Sequence, residues 1–308
     1  MKLFLVATAV LVTSVLGARA DEPEAATTTP VAARAILPGA LKTVWAKDLK
    51  APQGLARDKA GNIYVAEFGG GRIAKLSPQG ALLQRLGKDL KSPAFIRRAA
   101  GGFLISERKA NRVLFLSDQG KISPIGGEVI ESLGLATSGL RAVVIAHTTS
   151  RVLELTYGRW QGINTEVPTR EIVWKPIFEP SGETARYGYR CLALDRDGSL
   201  FISDEIENRL LLLTPNGRLT TFARDLDDPT GVTIADDGTV YVAEEGAGGR
   251  VARLDREGNA TTVVEGLGKP RDILFLDGGA TMLVSDREGG RIWRIVLPPN
   301  ATAKAAAR

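Results

Sequence analysis

Short apolar runs alternate with polar turns along most of this chain, and one phrase keeps returning. A few strand-forming residues lead to an acid, an arginine follows five or six positions later, and a second apolar run begins. The phrase reads Ile63-Tyr64-Val65-Ala66-Glu67 with Arg72, and Phe103-Leu104-Ile105-Ser106-Glu107 with Arg112. It returns as Leu200-Phe201-Ile202-Ser203-Asp204 with Arg209, Val240-Tyr241-Val242-Ala243-Glu244 with Arg250, and Met282-Leu283-Val284-Ser285-Asp286 with Arg291. A sixth copy, Val143-Val144-Ile145-Ala146-His147 with Arg151, has His where the others have an acid.

One full unit is clearest from Pro229 to Lys269. Strands are predicted at 232–235, 240–243, 251–254 and 261–264, separated by the turns Asp236-Asp237-Gly238 and Arg256-Glu257-Gly258 and by a loop over 244–249. In these turns Gly supplies the positive φ that other residues resist. Four short antiparallel strands in about forty residues make one propeller blade. The markers Glu67, Glu107, His147, Asp204, Glu244 and Asp286 stand 40, 40, 57, 40 and 42 residues apart, which gives six units with one long spacing. The last unit ends after three strands, and one spare strand, Thr43 to Ala46, lies at the start. Joining the two closes a ring without an orphan edge. The expected fold is therefore all-β, a six-bladed β-propeller of four-stranded antiparallel blades, closed by an N-terminal strand that completes the last blade. A seven-bladed ring with a degenerate blade within residues 159–190 is the alternative.

The ends divide the chain into a signal peptide over 1–20, a flexible leader over 21–40, the propeller over 41–297 and a flexible tail over 298–308. Lys2, the apolar run Leu3 to Leu16 and the small-x-small site Ala18-Arg19-Ala20 form the signal, with cleavage after Ala20. An uncleaved anchor is the other reading of that run. No later stretch is apolar enough to span a bilayer. Export to a periplasmic or extracellular space is expected, for a monomer. Cys191 is the single cysteine, so no intramolecular bridge is possible. The formal charge of +5 is scattered through the repeats, which argues against nucleic-acid binding.

In such a blade the loop between the second and third strands shares a face with the link to the next blade. The six markers then ring one mouth, with Gln53, Ala94, Leu133, Arg190, Thr230 and Arg271 nearer the axis. The extra length between blades 3 and 4 contains Trp160, Tyr187 and Tyr189. Within it Glu171 to Lys175 is expected as the fourth strand of blade 3, and the stretch from Lys175 to Tyr189 is expected over the mouth, as a lid or as packing on the blade edge.

Pro52-x-Gly54-Leu55, Pro229-x-Gly231-Val232, the turns Asp197-Gly198 and Asp237-Gly238, and Ser203-Asp204 with Asn208-Arg209 resemble the NHL-repeat propellers and the regucalcin/gluconolactonase-like group. The resemblance covers residues 42–297. Its lactonase branch implies a divalent metal on the axis, held by Glu, Asn and Asp at positions where this chain has Gln53, Arg190 and Thr230. Hard divalent cations want carboxylate oxygens, which these three do not offer. The virginiamycin lyase-like propellers imply a catalytic His, and His147 is the one histidine.

The acids Glu67, Glu107, Asp204, Glu244 and Asp286 read as a structural ring, because a feature repeated in every blade serves the scaffold. His147 departs from it and supplies a group that titrates near neutrality. Arg190 and Arg271 either make the mouth positive for an anionic ligand or pair with neighbours, Arg190 with Asp204 and Arg271 with Asp272 or Glu67. The expected function is an exported binding module that recognises a small molecule, glycan or protein partner at the mouth near blades 3 and 4, through Arg190, Arg271, Gln53, Tyr187, Tyr189 and Trp160. The alternative is a metal-assisted hydrolase or lyase of the gluconolactonase-like or virginiamycin lyase-like kind. His147 would then be catalytic, and Glu107, His147 and Asp204 would hold a divalent Ca, Mg or Zn ion.

Overall fold

The computed structural model describes residues 34–139, 141–156, 173–180 and 188–298. Six four-stranded antiparallel sheets follow one another in chain order. Their first strands are Pro52–Arg57, Pro93–Ala99, Ser132–Ser138, Tyr189–Leu194, Pro229–Ile234 and Pro270–Leu276, which define blades 1 to 6. Each of these strands packs on the first strand of the next blade, and the sixth returns to the first, so the six ring the axis. The closing strand, Leu41–Ala46, pairs antiparallel with Arg291–Val296 and completes blade 6. This is the six-bladed ring read from the repeat. Ser132–Ser138 to Val173–Phe178 form one four-stranded blade, and Tyr189–Leu194 opens the next, with no seventh sheet among the described residues.

The core lies between blades. One layer packs Leu55, Ile63 and Val65 of blade 1 against Leu283 and Ile292 of blade 6. Another packs Tyr64 and Ile73 of blade 1 against Ile96, Phe103 and Ile105 of blade 2. Second strands such as Ile63–Glu67 and Val240–Glu244 are buried on both faces, as strands flanked by neighbouring blades must be.

Every first strand bears a bulge at its mouth end. Pro52 pairs with Glu67 but Leu55 with Val65, so Gln53 and Gly54 share one partner residue, and the same shift recurs in all six blades. The second bulge residue alternates around the ring: Gly54, Phe95, Gly134, Cys191, Gly231, Asp272. In the even blades its N–H donates to a serine hydroxyl of the adjoining strand: Phe95 to Ser106, Cys191 to Ser203 and Asp272 to Ser285, at 2.9–3.0 Å. In the odd blades glycine admits the neighbouring backbone. A Cβ at Gly54 would stand 2.5 Å from the Ile96 nitrogen, and one at Gly231 would stand 2.4 Å from the Arg271 oxygen. The ring is thus three pairs of blades, small against large. Gly231→Ala is expected to cost about 1–3 kcal/mol or more, because the atoms in the way are backbone, and urea denaturation reads it.

Two features differ from the sequence expectation. The leader does not run free to residue 40. Ile36 bridges Thr262 on the outer edge of blade 5, with Leu37 N–H donating to Thr262 O at 2.7 Å, and Arg34 reaches Glu244. An edge strand offers unpaired backbone groups, and residues 35–37 satisfy some of them. The fourth strand of blade 3 is Val173–Phe178, which takes in Lys175 and the residues after it that had been expected over the mouth. The extra chain therefore falls in two places: 157–172, which joins the third and fourth strands of blade 3, and 179–188, which leads to blade 4. Trp160, Tyr187 and Ala20 lie outside the described residues.

Candidate functional site

The mouth is built by one hydrogen bond repeated six times. The N–H that opens each loop between second and third strands donates to the carbonyl just before that blade's first strand. The pairs are Phe68 to Ala51, Arg108 to Ser92, His147 to Glu131, Glu205 to Gly188, Glu245 to Asp228 and Arg287 to Lys269, at 2.9–3.3 Å. His147 therefore aligns with Phe68, Arg108, Glu205, Glu245 and Arg287, not with the acids. Strand register agrees: Ala146 pairs with Ser132 and Arg151 as Glu107 pairs with Pro93 and Arg112. The reading of His147 as the substitute for an acid is corrected. The missing acid of blade 3 is Ala146, and His147 stands one residue on, where the loop turns over the mouth.

The acids hold each blade to the link that enters it. Glu67 accepts from Lys50 N–H at 2.8 Å, Arg72 at 2.9 Å and Arg85 at 3.1 Å. Glu107 accepts from Lys91 N–H and Arg112, both at 2.5 Å. Asp286 accepts from Lys269 N–H at 3.1 Å and Arg291 at 2.9 Å, and Asp204 accepts from Arg209 at 2.9 Å. Glu244 accepts from Asp227 N–H, Arg250 and Arg34. Blade 3 manages without such an acid because Arg151 is half-exposed there and pairs with Glu179 instead.

His147 is buried, and its Nδ1 lies 2.8 Å from the carbonyl oxygen of Tyr189, the first residue of blade 4. A carbonyl only accepts, so Nδ1 bears the proton and Nε2 keeps its lone pair. Burial, and then the Arg108 and Arg190 charges, hold the ring's pKa below its ordinary value, against the Tyr189 carbonyl, which favours the charged form. The imidazole is neutral at pH 7. Beside it Arg108 pairs with Glu131 at 3.3 Å, and the Thr148 hydroxyl donates to the same carboxylate at 2.7 Å.

Arg190 and Arg271 are both paired, with partners other than those expected. Arg190 bonds Glu205 and Arg271 bonds Glu245, with Arg271 Nη2 to Glu245 Oε2 at 2.7 Å. Both acids belong to the loop position that His147 shares. Arg271 and Glu245 are almost wholly buried, so desolvation lowers the Arg271 pKa to about 10 and raises that of Glu245 despite their attraction. Gln53 and Tyr189 are buried at the rim, and burial pushes the Tyr189 phenol up to about 12. Cys191 lies in the core, its thiol raised by burial to about 11, which suits a packing residue rather than a nucleophile.

The proposed metal ligands do not converge. The carboxylates of Glu107 and Asp204 are engaged by arginines, and among the described residues no three His, Cys, Asp or Glu side chains are grouped to hold an ion. The lactonase-like axial set fits no better. Arg190 is cationic and bound to Glu205, and the Thr230 hydroxyl lies between the carbonyls of Pro270 and Ala243 at 2.8 and 3.1 Å. Nothing in this donor set suits a hard divalent cation.

The fold and mouth define a six-bladed propeller of the kind shared by lactonase-like and lyase-like proteins. No family model matches the chain, and no curated protein sequence does. Among solved structures it is similar to a gluconolactonase from Xanthomonas campestris, with a TM-score of 0.69 and 13% identity over 87% of this chain and 92% of that one. It is also similar to a calcium-binding protein, regucalcin, from Agrobacterium tumefaciens, with a TM-score of 0.62 and 14% identity over 83% and 96%. A third is a catalytically inactive histidine-to-alanine variant of virginiamycin B lyase from Staphylococcus aureus with quinupristin, with a TM-score of 0.60 and 14% identity over 84% and 100%. At these identities the likeness establishes the fold.

Proposed function

We propose that this protein is an exported acid–base enzyme of the hydrolase or lyase kind, acting on a small molecule at the mouth between blades 3 and 4. The observation that supports it is the state of His147: a neutral ring, oriented by a backbone carbonyl through Nδ1, with Nε2 unprotonated and the charges of Arg108 and Arg190 acting on it. A general base needs that orientation and an unprotonated nitrogen at working pH. The charges of Arg108 and Arg190, which already act on the ring, would also favour negative charge developing beside it on a carbonyl or leaving oxygen. The solved relatives include a gluconolactonase and a lyase, so a lactone and quinupristin are the first probes. The signal-peptide pattern over residues 1–20 supports export.

Because the chain has one histidine, its imidazole nitrogens are observable without ambiguity by NMR. We expect the Nδ1–H tautomer at pH 7, a pKa below 6.5, and turnover of at least one probe that falls as the ring protonates. The opposite tautomer, or a pKa above 6.5, would remove the base. A binding module is the second reading, favoured by the paired Arg190–Glu205 and Arg271–Glu245 side chains, which stiffen the rim and leave it nearly neutral. Calorimetric binding of a probe without turnover would select it.

A further inference from the structure

The axis holds a charged side chain that neither the repeat nor the mouth explains. Arg97 is the fifth residue of the first strand of blade 2. Its guanidinium forms two bonds to Asp272 of blade 6, Nη1 to Oδ2 at 2.6 Å and Nη2 to Oδ1 at 2.9 Å. Asp272 is fully buried, and its Oδ2 also accepts from Leu55 N–H of blade 1 at 2.8 Å. Arg97 Nη1 reaches the Ile96 oxygen at 3.0 Å and the Leu55 oxygen at 3.4 Å, and Nη2 lies 3.9 Å from Cys191 Sγ of blade 4. The guanidinium carbon sits 5.3 Å from the centre of the Phe95 ring. Phe95, Cys191 and Asp272 are the three side chains that alternate with glycine around the ring. All three meet the same guanidinium, which therefore lies among the innermost strands and joins blades 2, 4 and 6.

We propose that Arg97 is this propeller's built-in axial cation, occupying by covalent attachment the role that a divalent metal on the axis has in the lactonase-like resemblance. A metal there would need Asp272 and further oxygen donors. Here the Asp272 carboxylate is saturated by a bidentate guanidinium and a backbone N–H, and the guanidinium's other neighbours are a thiol and an aromatic face. Those surroundings suit guanidinium, which is weakly hydrated, planar and able to stack, and they suit a hard dication poorly. The arrangement ties blades 1, 2, 4 and 6 together.

Calorimetry on the chelator-treated protein with Ca²⁺, Mg²⁺, Mn²⁺ and Zn²⁺, together with thermal melting of variants, tests this. The native protein is expected to show no cation binding that Asp272→Asn abolishes, and to melt at the same temperature with and without chelator. Arg97→Ala is expected to lower Tm by about 6–20 °C, the range that an uncompensated buried carboxylate implies for a domain of this size. Adding Asp272→Asn to it should restore at least half of the loss. Should Arg97→Ala fail to fold, Arg97→Lys, which keeps the charge but not the fork, should fold with a smaller loss. One-site binding of a divalent cation to the native protein that Asp272→Asn removes would overturn the proposal. So would an Arg97→Ala protein that melts like the native one.

Discussion

Replacing Glu244 with alanine is expected to lower stability by about 3–5 kcal/mol, the usual result of stranding buried charges, and Tm by roughly 6–20 °C for a domain of this size. The carboxylate is wholly buried and gathers three donors from separate parts of the chain. Asp227 N–H, at 2.6 Å, belongs to the link that enters blade 5; Arg250, at 2.9 Å, opens its third strand; Arg34, at 2.8 Å, arrives from the segment before the closing strand. The two arginines are nearly covered themselves, with 16% and 10% of their side chains exposed, so water cannot replace the lost acceptor. Arg250 would retain a long contact to Asp227 at 3.6 Å, which sets the lower end of the range. Arg34→Ala should cost less, because Arg250 and Asp227 would still satisfy the carboxylate. Urea denaturation of the two variants reads both values, and a loss below about 1 kcal/mol for Glu244→Ala would reduce the pairing to an exposed ion pair's worth.

The same comparison shows what the amino-acid order makes legible. An apolar run, an acid and an arginine at a fixed spacing disclose the blades, because strand burial and ion pairing both act within one hairpin. Ring closure was legible because one end lacked a strand and the other had a spare. The alignment of His147 failed by one residue because the apolar run was matched to its neighbours without a gap. The arginine spacing carried the signal. It is five residues from Glu67, Glu107, Asp204 and Asp286, and four from His147, but five from Ala146. The partners of Arg190 and Arg271 were missed for the same reason, since Glu205 and Glu245 each follow a marker acid by one position. The Arg97–Asp272 pair joins residues 175 positions apart across the axis, and nothing local announces it. Its trace is a charged residue inside a first strand, and the alternation of glycine with Phe95, Cys191 and Asp272 at one register position.

Changing His147 to alanine or to glutamine is expected to reduce kcat on whichever probe is turned over by about 10²–10⁴-fold, the range a general base contributes, with little change in KM. The two variants separate positioning from proton transfer. Glutamine retains a side-chain N–H that can reach the Tyr189 carbonyl but has no basic nitrogen. If the ring only braced blade 3 against blade 4, glutamine would recover the rate and alanine would not. Equal losses in both assign the effect to Nε2. The pH dependence has a definite sign. With its pKa below 6.5, the folded ring is neutral throughout the neutral range, so the native rate should be flat above 6.5 and fall as pH drops through the lower value. Stability follows the same linkage and needs no substrate. Between 6.5 and the folded pKa the unfolded chain takes up a proton that the folded chain refuses, so native stability declines as pH falls across that window. In His147→Gln that part of the decline should disappear. A native protein whose stability does not change across the window, with kcat unaltered in both variants, would return His147 to the scaffold.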